Sequence, residues 1–206
     1  MNTPVLRWLL PLLLALPLTA AATPPAAATV AAPTQTPLEF VKGVYQRLLE
    51  ISDKAKKLDV LHQAIGDEMR SFMDYNEMAV RTLGKKRWEG LNAAQRAEFV
   101  DLLEAMVRRT YVKRFKPGRE IGVTYNDKVR MGKSGNALVR TTISIKRSKA
   151  GVDYSMEAGE TGWRVYDIIV DDASQVHVYR RSFGKILKQE DWAGLIKRMK
   201  KSAGRS

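Results

Sequence analysis

Cysteine is absent from the 206 residues. Without thiols there is no disulfide framework, no C-x-x-C redox pair and no thiolate zinc site, so burial alone must hold the fold together. An exported chain of that kind suits a bacterial periplasm better than a small secreted scaffold. Histidine occurs twice, at His62 and His177, with no other ligand nearby, which speaks for surface or core imidazoles rather than a metal site. Acid is scarce: 22 Asp and Glu stand against 35 Lys and Arg, a formal net charge of +13. No acidic residue lies between Glu104 and Glu120, where Arg108, Arg109, Lys113, Arg114, Lys116 and Arg119 sit. The stretch after Phe183 carries seven basic residues against Glu190 and Asp191. Such asymmetry points to an anionic partner or to a solvated basic surface. Nucleic acid is disfavoured, because the aromatics sit inside apolar periods rather than among the basic residues.

Catalytic motifs are also missing. No G-x-S-x-G, H-E-x-x-H or C-x-x-C occurs. Gly132-Lys133-Ser134 resembles the end of a phosphate-binding loop, but the glycine needed five residues earlier is Asp127, and the segment joins two strands. It reads as a turn. Asp171-Asp172 reads as a strand-end turn before it reads as a carboxylate pair. Asp167, in an apolar strand, needs a hydrogen-bond partner if buried, and a structural tie is the simpler role.

Proline is nearly absent after residue 37, since seven of eight stand at or before Pro37. What precedes it is not expected to belong to the fold. Arg7, a Leu-rich core from Trp8 to Leu18, and Ala20 and Ala22 at an A-x-A site give residues 1–22 the layout of a secretory signal peptide. The core is too short, and broken by Pro11 and Pro17, for the roughly 20 residues of a membrane span. Residues 23–36, uncharged and rich in Ala, Pro and Thr, read as a linker. Residues 37–206 then form one domain.

Within it, Val41, Val44, Tyr45, Leu48 and Leu49 follow helical spacing behind Pro37, and a second helix is expected over Leu58–Phe72. Asp74 caps a third that Gly84 ends, and Asn92 caps a fourth. There Phe99, Leu102, Leu103, Met106, Val107, Thr110 and Tyr111 make the most regular apolar stripe in the chain. Past Gly118 the period becomes that of strands: Ile121–Tyr125, Val139–Ile145, Val152–Met156 and Trp163–Val170. Turns are expected at Asn126-Asp127, Gly132–Asn136, Ser148–Gly151 and Gly159–Gly162. The last strand is apolar on both parities, hence covered on both faces. Val176, Val178 and Tyr179 continue the alternation, with helical spacing from Phe183 and a cap at Asp191. Helices, then four or five antiparallel strands, then helices make an α+β domain. On pattern alone, the stripe, the sheet and the methionines fit either a filled core or a ligand cavity.

Two ordered blocks resemble the MlaC family, the periplasmic phospholipid carriers also called toluene-tolerance proteins. The first is Phe72, Asp74-Tyr75, Met78-Ala79, Leu83-Gly84, Trp88, Arg96, Phe99 and Thr110-Tyr111. The second is Gly162-Trp163-Arg164-Val165-Tyr166-Asp167, then Ser174, Tyr179-Arg180 and Phe183. The chain departs from the family at Asp172, at Gln175 and at Lys116-Pro117. The resemblance implies an NTF2-like α+β fold, with a curved antiparallel sheet and helices enclosing an apolar lipid cavity. It also implies a shuttle of two-chain phospholipid between an outer-membrane lipoprotein–porin complex and an inner-membrane ABC transporter bearing an MCE-domain ring. No cofactor, metal or reaction is implied, and contact with membranes is transient. On that reading the cavity wall is expected from Met73, Met78, Leu83, Phe99, Leu103, Met106, Val107 and Tyr111 on the helices. On the strands it is expected from Val139, Ile143, Tyr154, Val165, Tyr166 and Ile168. Two alternatives stand beside the carrier: an enzyme of the same fold using Asp167 and Tyr166 as an acid/base pair, and a basic adaptor with a solid core.

Overall fold

Thr36 opens the first helix. Its hydroxyl accepts from the Glu39 N–H at 3.2 Å and the Glu39 carboxylate accepts from the Thr36 N–H at 2.8 Å, a reciprocal cap with Pro37 in the first turn. The computed structural model describes residues 33–205. The expected leader (1–22) and residues 23–32 of the expected linker lie outside the described residues.

Five helices come first: α1 (Pro37–Lys54), α2 (Leu58–Phe72), α3 (Tyr75–Leu83), the short α4 (Lys85–Glu89) and α5 (Ala93–Val112). Asp74 accepts from the Glu77 N–H at 2.8 Å to start α3. Gly84 ends it at φ 83°, a left-handed value that favours glycine, with the Arg180 guanidinium crowding the side a Cβ would take. Asn92 and Gln95 form the reciprocal cap of α5. The sheet follows as β1 (Gly122–Tyr125), β2 (Arg130–Met131), β3 (Ala137–Ile145), β4 (Ser148–Gly159), β5 (Gly162–Val170) and β6 (Ala173–Ser174). The chain closes with α6 (Gln175–Gln189) and α7 (Trp192–Ala203), the latter capped by Asp191.

The sheet is antiparallel in the order β1-β3-β4-β5-β6, with β2 on β3. Two of its six strands are two residues long, so four carry it. The expected α+β architecture is what the structure has. Two local expectations are corrected. The β3–β4 turn is Lys146-Arg147, not Ser148–Gly151, because those four residues pair with Ile145–Thr142. Val176, Val178 and Tyr179 belong to α6 rather than to a strand. Ser174 accepts from the His177 N–H at 3.1 Å and Asp167 from the Val176 N–H at 3.0 Å, and these caps start the helix eight residues before Phe183.

The β4–β5 ladder skips Tyr166: Ser155 pairs with Asp167 and Met156 with Val165. This bulge shifts the parity of β5, so that Val165 and Ile168, three residues apart, both face α1. Both parities of β5 are buried from Val165 to Ile168, as its composition predicts. β3 and β4 instead show a polar outer face, where Arg140 and Asp153 pair across the strands at 3.3 Å.

Arg164 ties helix to sheet. Its guanidinium donates to the Ser71 carbonyl at 2.5 Å and the Met73 carbonyl at 2.6 Å, beside an Asp74 N–H to Val165 carbonyl bond at 2.7 Å. These are end-of-helix carbonyls with no partner within α2. Arg164→Met keeps the aliphatic stem and removes both donors. It is expected to cost about 2–4 kcal/mol and lower Tm by roughly 5–12 °C, measured by thermal unfolding.

Candidate functional site

Two hollows of useful size border the sheet. One, of about 730 Å³, lies on the polar outer face of β3 and β4 among Asn126, Asp127, Arg140, Asp153 and Asp172. It is open to solvent, and its Arg140–Asp153 charges already satisfy each other. The other lies between the sheet and the helices, about 180 Å³ in volume, and its wall is almost wholly apolar. A chemistry-free, water-shedding hollow of this kind suits a hydrocarbon ligand.

The wall is built from four directions. α1 contributes Tyr45 and Leu48 from its buried stripe, and the C-terminal half of α2 contributes Met69 and Phe72. The end of α5 and the segment after it give Tyr111, Arg114, Phe115 and Ile121. The sheet gives Ile143, Ile145, Ala150, Val152, Tyr154, Ile168 and Val170. On β3 these are odd-numbered positions and on β4 even-numbered ones, so one pleat face supplies them. A second void, of about 20 Å³, continues beyond Tyr45, Leu48, Phe72 and Tyr154 toward Phe40, Val41, Val44 and Val165. The same four side chains border both spaces and therefore separate them.

Tyr45 and Tyr154 close that partition. Their hydroxyls are hydrogen-bonded to each other, their rings meet edge to face at 6.0 Å, and Tyr125 packs on the other side of Tyr45 at 6.1 Å. Burial pushes the Tyr45 phenol up to about 12 and raises Tyr154 well above the usual phenol range. Both stay protonated at neutral pH, so the pair is a neutral polar contact in an apolar wall.

Of the fourteen side chains expected in a cavity wall, the structure brings Tyr111, Ile143, Tyr154 and Ile168 to this cavity, and Val165 to the small void. Met73, Met78, Leu83, Phe99, Leu103, Met106, Val107, Val139 and Tyr166 do not line it. Phe99 is fully buried against Phe183 and Trp192, with ring centroids at 5.7 and 5.8 Å. The α5 stripe packs on α2, α3 and α7 rather than on the sheet, and only the last turn of α5 reaches the hollow. The positions not anticipated are those of α1, the end of α2, the Arg114–Ile121 connection and, on the sheet, Ile145, Ala150, Val152 and Val170. Tyr45 and Leu48 stood in a plain helical stripe, which signals burial but not what is buried against it.

Tyr166 and Asp167 are not assembled as an acid/base pair. Tyr166 lies beneath the Arg81 guanidinium at 3.9 Å and its hydroxyl accepts from the Asn136 amide at 3.4 Å. Asp167 accepts from the Ser174 hydroxyl at 2.5 Å and the Val176 N–H at 3.0 Å. It is the tie between β5 and α6. Burial raises its carboxyl above the ordinary value, partly offset by those two hydrogen bonds. A raised carboxyl stabilises the fold most below its unfolded value near 4, and that contribution is lost as pH rises through the folded value. Asp167→Asn keeps an acceptor for Val176 and cannot ionise. Its Tm relative to wild type is therefore expected to rise between pH 3.5 and 7, measured by thermal scans across that range.

Among the described residues no group of three acidic, His or Cys side chains is placed to hold a metal ion, and no described helix is long and apolar enough to cross a membrane.

A family model described as "MlaC protein" matches residues 40–201. No curated protein matches the chain. Among solved structures, a phospholipid-binding protein from Ralstonia solanacearum, determined in complex with a phospholipid, shares the fold. Its TM-score is 0.72 at 20% identity, over 81% of this chain and 96% of that one.

Proposed function

We propose, from the premise that this chain belongs to the MlaC family, that it is a periplasmic carrier of two-chain phospholipid. The acyl tails occupy the cavity between α1 and the sheet. The observation that carries this reading is the apolar wall itself, fifteen residues with one charge among them, in a fold shared with a protein solved with phospholipid bound. Two tails hold about 30 methylenes, and at ~0.8 kcal/mol each their exposure to water costs on the order of 20 kcal/mol. A protein wall that matches a bilayer interior removes that barrier without holding the lipid so tightly that release stalls.

The cavity volume of about 180 Å³ is below the roughly 300–1,000 Å³ of small-molecule sites. Loading therefore requires the wall to separate, and the Tyr45–Tyr154 partition is where the two spaces would join. In the proposed cycle an exported chain takes lipid from, or delivers it to, an outer-membrane lipoprotein–porin complex. At the other membrane it meets an ABC transporter carrying an MCE-domain ring. The basic excess favours both encounters with acidic faces and transient contact with anionic membranes, each surface cation contributing about 1 kcal/mol. The chain catalyses nothing in this cycle and uses no cofactor.

The test is extraction of the purified protein with organic solvent, followed by lipid mass spectrometry. Stoichiometric two-chain lipid is the expected result. Protein that is lipid-free after expression in an exporting host, and that takes up none from vesicles, would overturn the reading.

A further inference from the structure

Arg114 is the one charged residue in the cavity wall. Several arginines have a visible partner, while Arg87, Arg109, Arg180 and Arg181 on the helices have none among the described residues. Arg47 meets Glu68, Arg70 and Arg108 meet Glu104, Arg96 donates to the Trp88 carbonyl, Arg198 meets Glu190 and Arg205 meets Asp101. The Arg114 guanidinium makes no ion pair or hydrogen bond with any described residue. Its place at the end of α5 is favourable for a cation by roughly 0.3–1 kcal/mol. That accounts for a basic residue there. It does not account for one lining an apolar hollow.

The chain after it carries Arg119 beside the acidic Glu120. Gly118, at φ 66°, turns the chain back, and Arg119 then donates from its guanidinium to the Arg114 carbonyl at 3.2 Å. A second cation thus sits against the Arg114 main chain. On the sheet side, Ile145 and Ala150 line the cavity, and the turn between their strands is Lys146-Arg147. Lys146 holds φ 55°, a conformation in which glycine or asparagine would be relaxed. None of these four cations pairs with a described acid.

We infer that Arg114, exposed to solvent while lining the apolar cavity and followed by Arg119 on its own main chain, forms a phosphate-binding rim of that cavity, with the Lys146-Arg147 turn of the adjoining β3–β4 hairpin adding positive charge. The inference rests on the carrier reading and adds headgroup chemistry to it. A guanidinium matches phosphate oxygens with two parallel donors, and it does so more strongly beside an apolar wall than in open water. A phosphodiester seated there leaves its two tails directed inward along the wall. The phosphate has two sources: the headgroup of a lipid in the cavity, or free phosphate.

The experiment compares wild type, Arg114→Gln, Arg114→Lys and Lys113→Gln, all as the folded domain. Each is loaded from vesicles containing either phosphatidylglycerol or diacylglycerol, which share tails and differ in phosphate, and retained lipid is measured after dilution. The expected result is a five- to tenfold loss of phosphatidylglycerol retention in Arg114→Gln, with diacylglycerol unchanged. Arg114→Lys should recover part of the loss, and Lys113→Gln, which removes the same charge outside the wall, should behave as wild type. Equal loss with both lipids, or no loss, would overturn the rim as a headgroup site. A separate titration of lipid-free protein with inorganic phosphate distinguishes the sources. Saturable binding lost in Arg114→Gln supports the rim with free phosphate as its ligand. If wild type loads neither lipid, the carrier reading fails, and the phosphate titration alone decides the rim.

Discussion

Ala150→Trp is expected to purify folded and without lipid. Ala150 stands on β4 opposite Ile143, half-buried, with its side chain on the cavity face. An indole built there enters the hollow instead of displacing a packed neighbour, so the stability cost stays at about 1–3 kcal/mol. The consequence for loading is much larger. A ring that occupies a cavity of about 180 Å³ removes the space into which the tails must start to insert. Bound lipid, measured by extraction and mass spectrometry, should fall more than tenfold, while the circular dichroism spectrum and the unfolding cooperativity stay those of wild type. Undiminished lipid in the variant would show that the tails lie somewhere other than between α1 and the sheet.

Phe99→Ala should do the reverse. Phe99 is fully buried where α5 meets α6 and α7, edge-on to Phe183 and tilted against Trp192. Truncating it leaves a void that three helices cannot readily close. The expected cost is about 3–5 kcal/mol. For a domain of this size that lowers Tm by roughly 8–15 °C. Lipid per folded molecule should not change, because Phe99 lies outside the cavity wall. Denaturant melts and lipid quantification on the same preparation separate the two effects. A stable variant with reduced lipid would place tails against the α5 stripe.

That contrast shows where the sequence informs and where it stops. Helix boundaries were readable wherever a cap was local. Asp74, Asn92, Asp191 and Pro37 each act within three residues of themselves, and all four stand where their spacing put them. The start of α6 was not readable, because part of its cap is Asp167, reaching from β5 to the Val176 N–H. The β3–β4 turn was misplaced for a related reason. Ser148–Gly151 has turn composition, but cross-strand pairing overrides local preference. The cavity was least legible. A regular stripe such as Phe99–Tyr111 reports that a helix face is buried, and the same stripe results whether the neighbour is a lipid or another helix. The parity of the β5 wall depended on the bulge at Tyr166, which no run of apolar residues announces.

The contact between Tyr45 and Tyr154 has a consequence for traffic. Because two neutral hydroxyls satisfy each other across the partition, a vacated protein keeps the two spaces apart and leaves an apolar hollow of only about 180 Å³, below the size of ordinary ligand sites. Prising that contact apart in the dry costs an unmade hydrogen bond, so lipid is admitted most readily where something else holds the door. In the proposed cycle a donor or acceptor complex would be the natural place for that, and the return journey would be made closed.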